Sequence, residues 1–349
     1  MNTTSASPAA SVALLRESAT AERAGARAAG RIADVHALLG DDLGLVDREL
    51  TRMTREGVSP ATDSATHLLE AGGKRVRPLT VLLSAACFGR VSAVARDVAV
   101  AAELVHLATL LHDDVIDDGQ ERRGQPTPRR IWGNAVSVLA GDLLLTHALE
   151  RTAMAAPGPV LADLFATLRR LVDGEIVQLR GRTRLDPRED VYFRIVHDKT
   201  ASLFAWAARA GAATAGAPAE AVTALGEFGA RVGVAFQLVD DVLDYDGDPQ
   251  ATGKALLGDL LEGKLTLPLI RALALRPAMS RDIEAVRAGD AEAAGRVAEA
   301  VRGSGVCDGV RALAREETAR AQHALDVVPA CSARDLLSSI AAELASRAA

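Results

Sequence analysis

Leu110-Leu111-His112-Asp113-Asp114-Val115-Ile116-Asp117-Asp118-Gly119-Gln120-Glu121-Arg122-Arg123-Gly124 is the stretch that decides how this chain is read. It sets a cluster of carboxylates a few residues ahead of two adjacent guanidiniums. The mostly apolar run from Val98 to Leu111 before it contains no Gly or Pro and reads as helix. On a helix, Asp113 and Asp117 are four residues apart and share a face, close enough to hold one cation or two neighbouring ones. Uncompensated, that much like charge repels itself. A hard dication such as Mg2+ removes the repulsion and usually completes its shell with water and phosphate oxygens. The pattern therefore points to a metal-bridged polyphosphate.

Working outward, Phe236-Gln237-Leu238-Val239-Asp240-Asp241-Val242-Leu243-Asp244 repeats the Asp-Asp-x-x-Asp spacing on a second apolar stretch free of Gly and Pro. Two such helices facing each other could grip one diphosphate between them. Taken singly, either cluster also reads as a solvated acidic helix end. Two copies, each set into a hydrophobic helix where bare charge is costly, weigh against that alternative.

The composition agrees with a soluble helical enzyme. The chain has 349 residues, 49% of them apolar and 3% aromatic, and alanine dominates, which favours close-packed helices over sheet. A net charge of -6 and a pI near 5.7 argue against nonspecific nucleic-acid binding. Cys87, Cys307 and Cys331 are odd in number and widely spaced, so free buried thiols in a reducing cytoplasm are expected rather than a disulfide framework or a CxxC metal site. No uninterrupted apolar run reaches the length of a membrane span.

Residues 1–32 lack the apolar core of a signal peptide and are expected to form a poorly ordered or loosely helical tail. Residues 32–55 carry apolar side chains at helical spacing, broken near Gly40, as a helix pair or one kinked helix. Gly72-Gly73 closes a short helix and Pro78 opens the next. Lys74-Arg75-Val76-Arg77, held between them, reads either as a solubilising loop or as a rigid anion-binding turn. His106 lies on an apolar helix about two turns before Asp113, either as a core histidine or as a phosphate donor. Pro126 and Pro128 mark a loop. Gly133 and Gly141, in a helix expected over 131–150, are most simply close helix contacts, and Asp142 has no obvious partner. Lys199-Thr200 sits in an otherwise small and apolar helix over 191–215, where the lysine could also snorkel to the surface. Gly258-Asp259-Leu260-Leu261-Glu262-Gly263-Lys264-Leu265 nearly matches a P-loop. However, Leu265 replaces the hydroxyl residue and no strand is expected before it, which argues against a nucleoside-triphosphate domain.

Gly72-Gly73-Lys74-Arg75-Val76-Arg77-Pro78, both Asp-Asp-x-x-Asp motifs, Arg122-Arg123-Gly124, Lys199-Thr200, Phe236-Gln237 and Gly263-Lys264-Leu265-Thr266-Leu267-Pro268 together resemble the trans-isoprenyl diphosphate synthases, or polyprenyl synthetases, in their long-chain form. The resemblance runs from about residue 60 to 275. It implies an all-α, single-domain antiparallel helical bundle around a central cavity (the isoprenoid synthase fold), with residues 33–349 as the catalytic domain. It also implies condensation of isopentenyl diphosphate with an allylic diphosphate, a homodimer, a cytoplasmic location with no nucleic-acid partner, and peripheral membrane contact for product release.

By position, the resemblance implies that Asp113, Asp114, Asp117, Asp240, Asp241 and Asp244 bind Mg2+, about three ions per active site, and through it the allylic diphosphate. Arg122, Lys199 and Lys264 would touch that diphosphate, with Lys254 a weaker candidate. Lys74, Arg77, His106 and Arg123 would hold isopentenyl diphosphate, which settles both open alternatives above in favour of function. Lys199, Thr200 and Gln237 would act beside the reacting carbon. The chemistry agrees, because carbon–oxygen cleavage needs cations where negative charge accumulates and a dry pocket around the allylic cation. The cavity floor is expected at Ala101, Ala102, Val105, Ala108 and Thr109, where no aromatic stops a growing tail, giving a product above about twenty carbons. Geranylgeranyl or farnesyl diphosphate synthases are the short-product alternative. A terpene cyclase would need an Asn-Asp-x-x-Ser-x-x-x-Glu second motif, and a noncatalytic synthase subunit should have lost aspartates or the Arg pair.

Overall fold

The computed structural model describes residues 22–156, 158–183, 185–247 and 257–346. Helices account for nearly all of it, as the alanine-rich, aromatic-poor composition predicts. The described residues form two compact units, neither of them one continuous stretch: those up to 163, 207–225 and 327–337 build the first, and those within 164–206, within 226–326 and from 338 onward the second.

The first unit is built on α1 (Glu22–Thr54), α2 (Ala61–Glu70), α3 (Val76–Ala86), α4 (Ala93–Ile116), α5 (Pro128–Trp132) and α6 (Asn134–Ala155). Helix α1 crosses Gly40 without the break expected there, and it begins inside the stretch assigned to the tail. Its apolar positions Val35, Leu39, Leu43, Val46 and Leu50, at helical spacing, are all buried. Helix α4 starts where Ser92 accepts a hydrogen bond from the Ala95 N–H (3.1 Å), a side-chain cap for an otherwise unpaired donor. It is the central helix of the unit, with Val98, Ala101, Ala102, Val105 and Ala108 all at 0% exposure. Gly141 on α6 allows the close approach expected of it, since a Cβ there would lie 2.3 Å from His112 Nε2 on α4. Gly133 does not play that role. Nothing lies near it, and its φ of +84° instead breaks the helix expected over 131–150 into α5 and α6.

The second unit contains most of α7 (Gly158–Thr183), then α8 (Glu189–Ile195), a π-helical turn (Val196–Ala201), and parts of α9 (Ser202–Thr214) and α10 (Ala219–Asp246). It continues with α11 (Gly258–Leu261), α12 (Leu267–Leu275), α13 (Ser280–Arg287), α14 (Ala291–Gly303), α15 (Val306–Ala324) and part of α16 (Ser332–Ser346). Its core joins Tyr192, Val196, Leu238, Val242 and Tyr245 to Leu267, Leu269, Ile270, Val297 and Val310. By length and composition α10 could cross a membrane, but 56% of its apolar window is buried inside the protein, as in a core helix. The P-loop look-alike forms the short α11, and the last described element before it is the helix α10, not a strand. Of the three free cysteines, Cys87 and Cys307 are buried as expected, whereas Cys331 is half-exposed.

Candidate active site

The basic residues of the first unit converge from two turns. Arg75 adopts the left-handed conformation (φ +48°) just ahead of α3 and is 7% exposed. Its guanidinium turns inward, donating from Nη1 to Glu103 Oε1 at 2.7 Å, with Asp47 Oδ1 3.6 Å from Nε. The basic turn is thus pinned by its middle arginine, leaving Lys74 and Arg77 on either side. The expected loop after the first acid motif is instead a two-residue hairpin, β1 (Glu121–Arg122) against β2 (Gln125–Pro126). Arg123 (φ +54°) and Gly124 (φ +72°) form its tip, the two left-handed positions that a type I′ turn requires. The tip reaches the glycine turn, since a Cβ on Gly73 would lie 3.2 Å from Arg123 Nη1 and 2.8 Å from Arg75 Nη1.

His106 feels the arginines of both turns. Burial and then Arg77, Arg123, Arg122 and Arg75 hold its pKa well below the ordinary imidazole value, so the ring is neutral at pH 7. Burial also pulls the Arg77 guanidinium down to about 10, with Glu103 opposing. The structure therefore gathers Arg77, His106, Arg122 and Arg123 into one electropositive region suited to a polyanion.

Asp113, Asp114 and Asp117 end α4. Asp114 is 2% exposed, and its Oδ1 accepts from Arg122 Nε (3.0 Å) and Nη2 (2.8 Å). Its buried Oδ2 has no hydrogen-bond partner. Burial raises its pKa, against the pull of Arg122. Gly119, close above it, would bring a Cβ within 3.3 Å of Asp114 Oδ1. His112 Nε2 lies 3.3 Å from Asp142 Oδ1, which supplies the partner that sequence alone did not show.

In the second unit, Asp241 is 2% exposed and surrounded by donors: Tyr192 OH at 2.6 Å, Gln237 Nε2 at 2.8 Å and the Leu267 N–H at 3.4 Å. Burial, and then the nearby Asp259 carboxylate, push its pKa up to about 7 against those hydrogen bonds. Asp240 and Asp244 are half-buried, and Asp244 Oδ1 accepts from the Asp259 N–H at 3.4 Å. Thr200 donates to Gln237 Oε1 at 3.0 Å, so the two residues expected beside the reacting carbon are joined to the acid motif. Lys199 pairs with Glu175 and donates to Gln178 Oε1 at 2.8 Å. Lys264 pairs with Glu262 (2.5 Å) and Asp259 (3.5 Å).

Lys199 and Thr200 lie on the π-helical turn, not on the continuous helix expected over 191–215. Two glycines from neighbouring helices allow it to be held. A Cβ on Gly174 would lie 2.8 Å from Lys199 N, and one on Gly233 2.6 Å from Ala201 Cα. Such single π turns recur at functional sites because they re-aim side chains within a helix.

Lys254 lies outside the described residues. Ala101, Ala102, Val105 and Ala108 are fully buried on α4, and Thr109 is half-buried, donating to the His106 carbonyl (2.8 Å). Sequence alone does not single out Tyr192, Asp259, Glu103, Glu175 or Gln178. Each is an ordinary polar residue whose partner is distant in the chain, so no local pattern marks it.

Among the described residues no three His, Cys, Asp or Glu side chains converge as a finished metal cage. A hard dication that keeps water and phosphate oxygens in its shell does not need one, and the buried, unpartnered Asp114 Oδ2 fits such an ion.

The family model described as polyprenyl synthetase matches residues 59–303. Heptaprenyl diphosphate synthase component 2 of Geobacillus stearothermophilus is 38% identical over 314 residues, covering 90% of this chain and 98% of that protein. The all-trans-nonaprenyl-diphosphate synthase (geranyl-diphosphate specific) of Rhodobacter capsulatus is 36% identical over 307 residues, covering 87% and 94%. A crystal structure of a polyprenyl synthase from Caulobacter crescentus CB15, complexed with calcium and isoprenyl diphosphate, aligns with a TM-score of 0.86 at 37% identity, covering 90% of this chain and 98% of that one. With its all-α isoprenoid synthase fold, this chain belongs to the polyprenyl synthetase family.

Proposed function

We propose that this protein is a trans-prenyltransferase that condenses isopentenyl diphosphate with an allylic diphosphate, releases diphosphate, and makes a product longer than C20. The observation that carries the proposal is the retention of both Asp-Asp-x-x-Asp motifs together with the basic region around His106. Residues 33–349 are assigned as the catalytic domain.

Asp113, Asp114 and Asp117, with Asp240, Asp241 and Asp244, would hold Mg2+, about three ions, and through it the allylic diphosphate. When bound, Mg2+ neutralises the diphosphate as it leaves. Arg122, Lys199 and Lys264, with Lys254 as a weaker candidate, contact the same group. For Lys199 this requires partial release from Glu175. Lys74, Arg77, His106 and Arg123 bind the diphosphate of isopentenyl diphosphate. The alkene of that substrate is the nucleophile, so no activated Ser or Cys is needed. Thr200 and Gln237 steady the allylic cation, and its carbon bonds to the alkene while the surplus proton leaves to the departing diphosphate. Ala101, Ala102, Val105, Ala108 and Thr109 are assigned as the chain-length floor; none is aromatic, which supports a long product, as do the heptaprenyl and nonaprenyl names of the two relatives.

A cytoplasmic homodimer is part of the proposal, with peripheral membrane contact at product release. The membrane contact is supported by an exposed apolar stripe on α7, where Phe165 (53%), Val172 (58%), Ile176 (44%) and Leu179 (36%) recur at helical spacing. The name "component 2" of the Geobacillus relative raises a second reading, in which a partner subunit is needed for activity. Purified protein incubated alone with farnesyl diphosphate, isopentenyl diphosphate and Mg2+ tests both. Chelator-sensitive products longer than C20 support the proposal. Their absence, with activity restored only by a second component, favours the two-subunit reading, and no turnover under any condition overturns both.

A further inference from the structure

The second acid motif is held by a bracket that the Asp-Asp-x-x-Asp spacing does not itself require. An ionised carboxylate offers about four lone-pair directions. At Asp241 the protein takes up three of them, with Tyr192 OH on Oδ2 at 2.6 Å, the Leu267 N–H on Oδ2 at 3.4 Å and Gln237 Nε2 on Oδ1 at 2.8 Å. The donors come from α8, from the first residue of α12 and from α10 itself, so three elements fix one side chain. Tyr192 is 5% exposed and Asp241 2%, which keeps water from competing for the bond between them. The shortest of the three contacts is the one from Tyr192, and it comes from the residue furthest away in sequence. Gln237, held by the other carboxylate oxygen, accepts in turn from Thr200 at 3.0 Å, so the orientation of Asp241 is passed to the pair placed beside the reacting carbon.

We propose that Tyr192 is a positioning residue that locks Asp241, leaving a single oxygen direction to face the bound ion and fixing Gln237 and Thr200 from the same point. It touches neither substrate and acts only through Asp241. The inference rests on the function proposed above, and it is tested by a measurement that does not depend on turnover.

The test uses Tyr192→Phe, which keeps the ring and its edge-on packing against Phe193 (5.2 Å between centroids) while removing the hydroxyl. The variant is studied alone and in an Asp241→Asn background. Calorimetry with inorganic diphosphate as the probe reads the Mg2+ concentration at half-saturation, alongside the melting temperature and the KM for isopentenyl diphosphate. Removing an outer partner of a metal ligand typically weakens metal affinity, so Tyr192→Phe is expected to raise the Mg2+ half-saturation roughly tenfold. That KM should stay close to wild type, and the melting temperature should fall no further than the loss of one buried hydrogen bond accounts for. In the Asp241→Asn background the same change should add nothing, because the side chain it acts through is already altered. The proposal is overturned if Tyr192→Phe lowers the melting temperature with the Mg2+ half-saturation unmoved, or if its effect is equally large with Asp241→Asn. If wild type binds Mg2+ with diphosphate but makes no prenyl product, the proposed reaction fails, while calorimetry still decides the role of Tyr192.

Discussion

Replacing Glu103 with methionine should expose how the basic turn is held. Arg75 is 7% exposed and Glu103 3%, and they meet at 2.7 Å. Taking one partner from a buried ion pair leaves a charge without compensation and typically costs about 3–5 kcal/mol. Here Asp47 remains 3.6 Å from Arg75 with its side chain 30% exposed, so the low end, about 3 kcal/mol, is expected. That is a large fraction of the roughly 5–15 kcal/mol that separates folded from unfolded protein. The Arg75→Met, Glu103→Met double variant replaces the pair with apolar side chains of similar length and should recover stability to within about 1 kcal/mol of wild type. Urea denaturation followed by helical circular dichroism measures both. Because the guanidinium of Arg75 is directed at Glu103, the double variant should also keep the KM for isopentenyl diphosphate within about threefold, having lost a strut and not a substrate contact. A cost below about 1 kcal/mol for Glu103→Met, or a double variant no more stable than the single one, would refute the buried-pair account. Loss of isopentenyl diphosphate binding in a stable double variant would make Arg75 a ligand.

His106 is held neutral in the folded protein by burial and four arginines, whereas in the unfolded chain it titrates near its ordinary value of 6.5. The folded pKa is the lower one, so below about pH 6.5 the unfolded chain takes up a proton that the folded state refuses, and stability falls by up to about 1.4 kcal/mol per pH unit. Comparing wild type with His106→Gln at pH 7.5 and 5.5 should show the larger acid loss in wild type, and equal losses would contradict the assignment. Gly233→Ala would drive a Cβ to 2.6 Å from Ala201 Cα, and is expected to cost about 1–3 kcal/mol and to depress kcat by shifting the Lys199-Thr200 turn. A fully active, equally stable variant would show that the turn tolerates movement. Ala108→Phe should shorten the product, as read by chromatography; an unchanged length distribution, or a wild-type product that stops at fifteen carbons or so, removes the open floor on α4.

The chemistry-bearing motifs were legible because each is local. Asp113 to Asp117, Asp240 to Asp244 and the Arg pair announce themselves by spacing, and the bounds Leu267–Leu275 follow from Pro268 at one end and the end of apolar periodicity at the other. What the chain concealed depends on contacts distant in sequence. Tyr192 and Asp241 are 49 residues apart, and Arg75 and Glu103 28. The π-helical turn depends on room left by Gly174 and Gly233, which no propensity of Val196–Ala201 foretells. The hairpin was hidden because an arginine, not an asparagine or glycine, occupies the first left-handed position of its turn. Gly40 was read as a break and Gly133 as a contact, and the structure reverses both, since glycine marks either a close approach or a turn and only the surroundings distinguish them.

Both aspartate motifs are proposed to act on one leaving diphosphate. A crystal structure of the protein with Mg2+, isopentenyl diphosphate and an unreactive thio-analogue of farnesyl diphosphate tests it directly. The expected result is a single allylic diphosphate linked through Mg2+ to carboxylates of both Asp113–Asp117 and Asp240–Asp244, with the second diphosphate against Arg77, His106 and Arg123. Ions and diphosphate on one aspartate motif alone, with the other motif left in solvent, would contradict it.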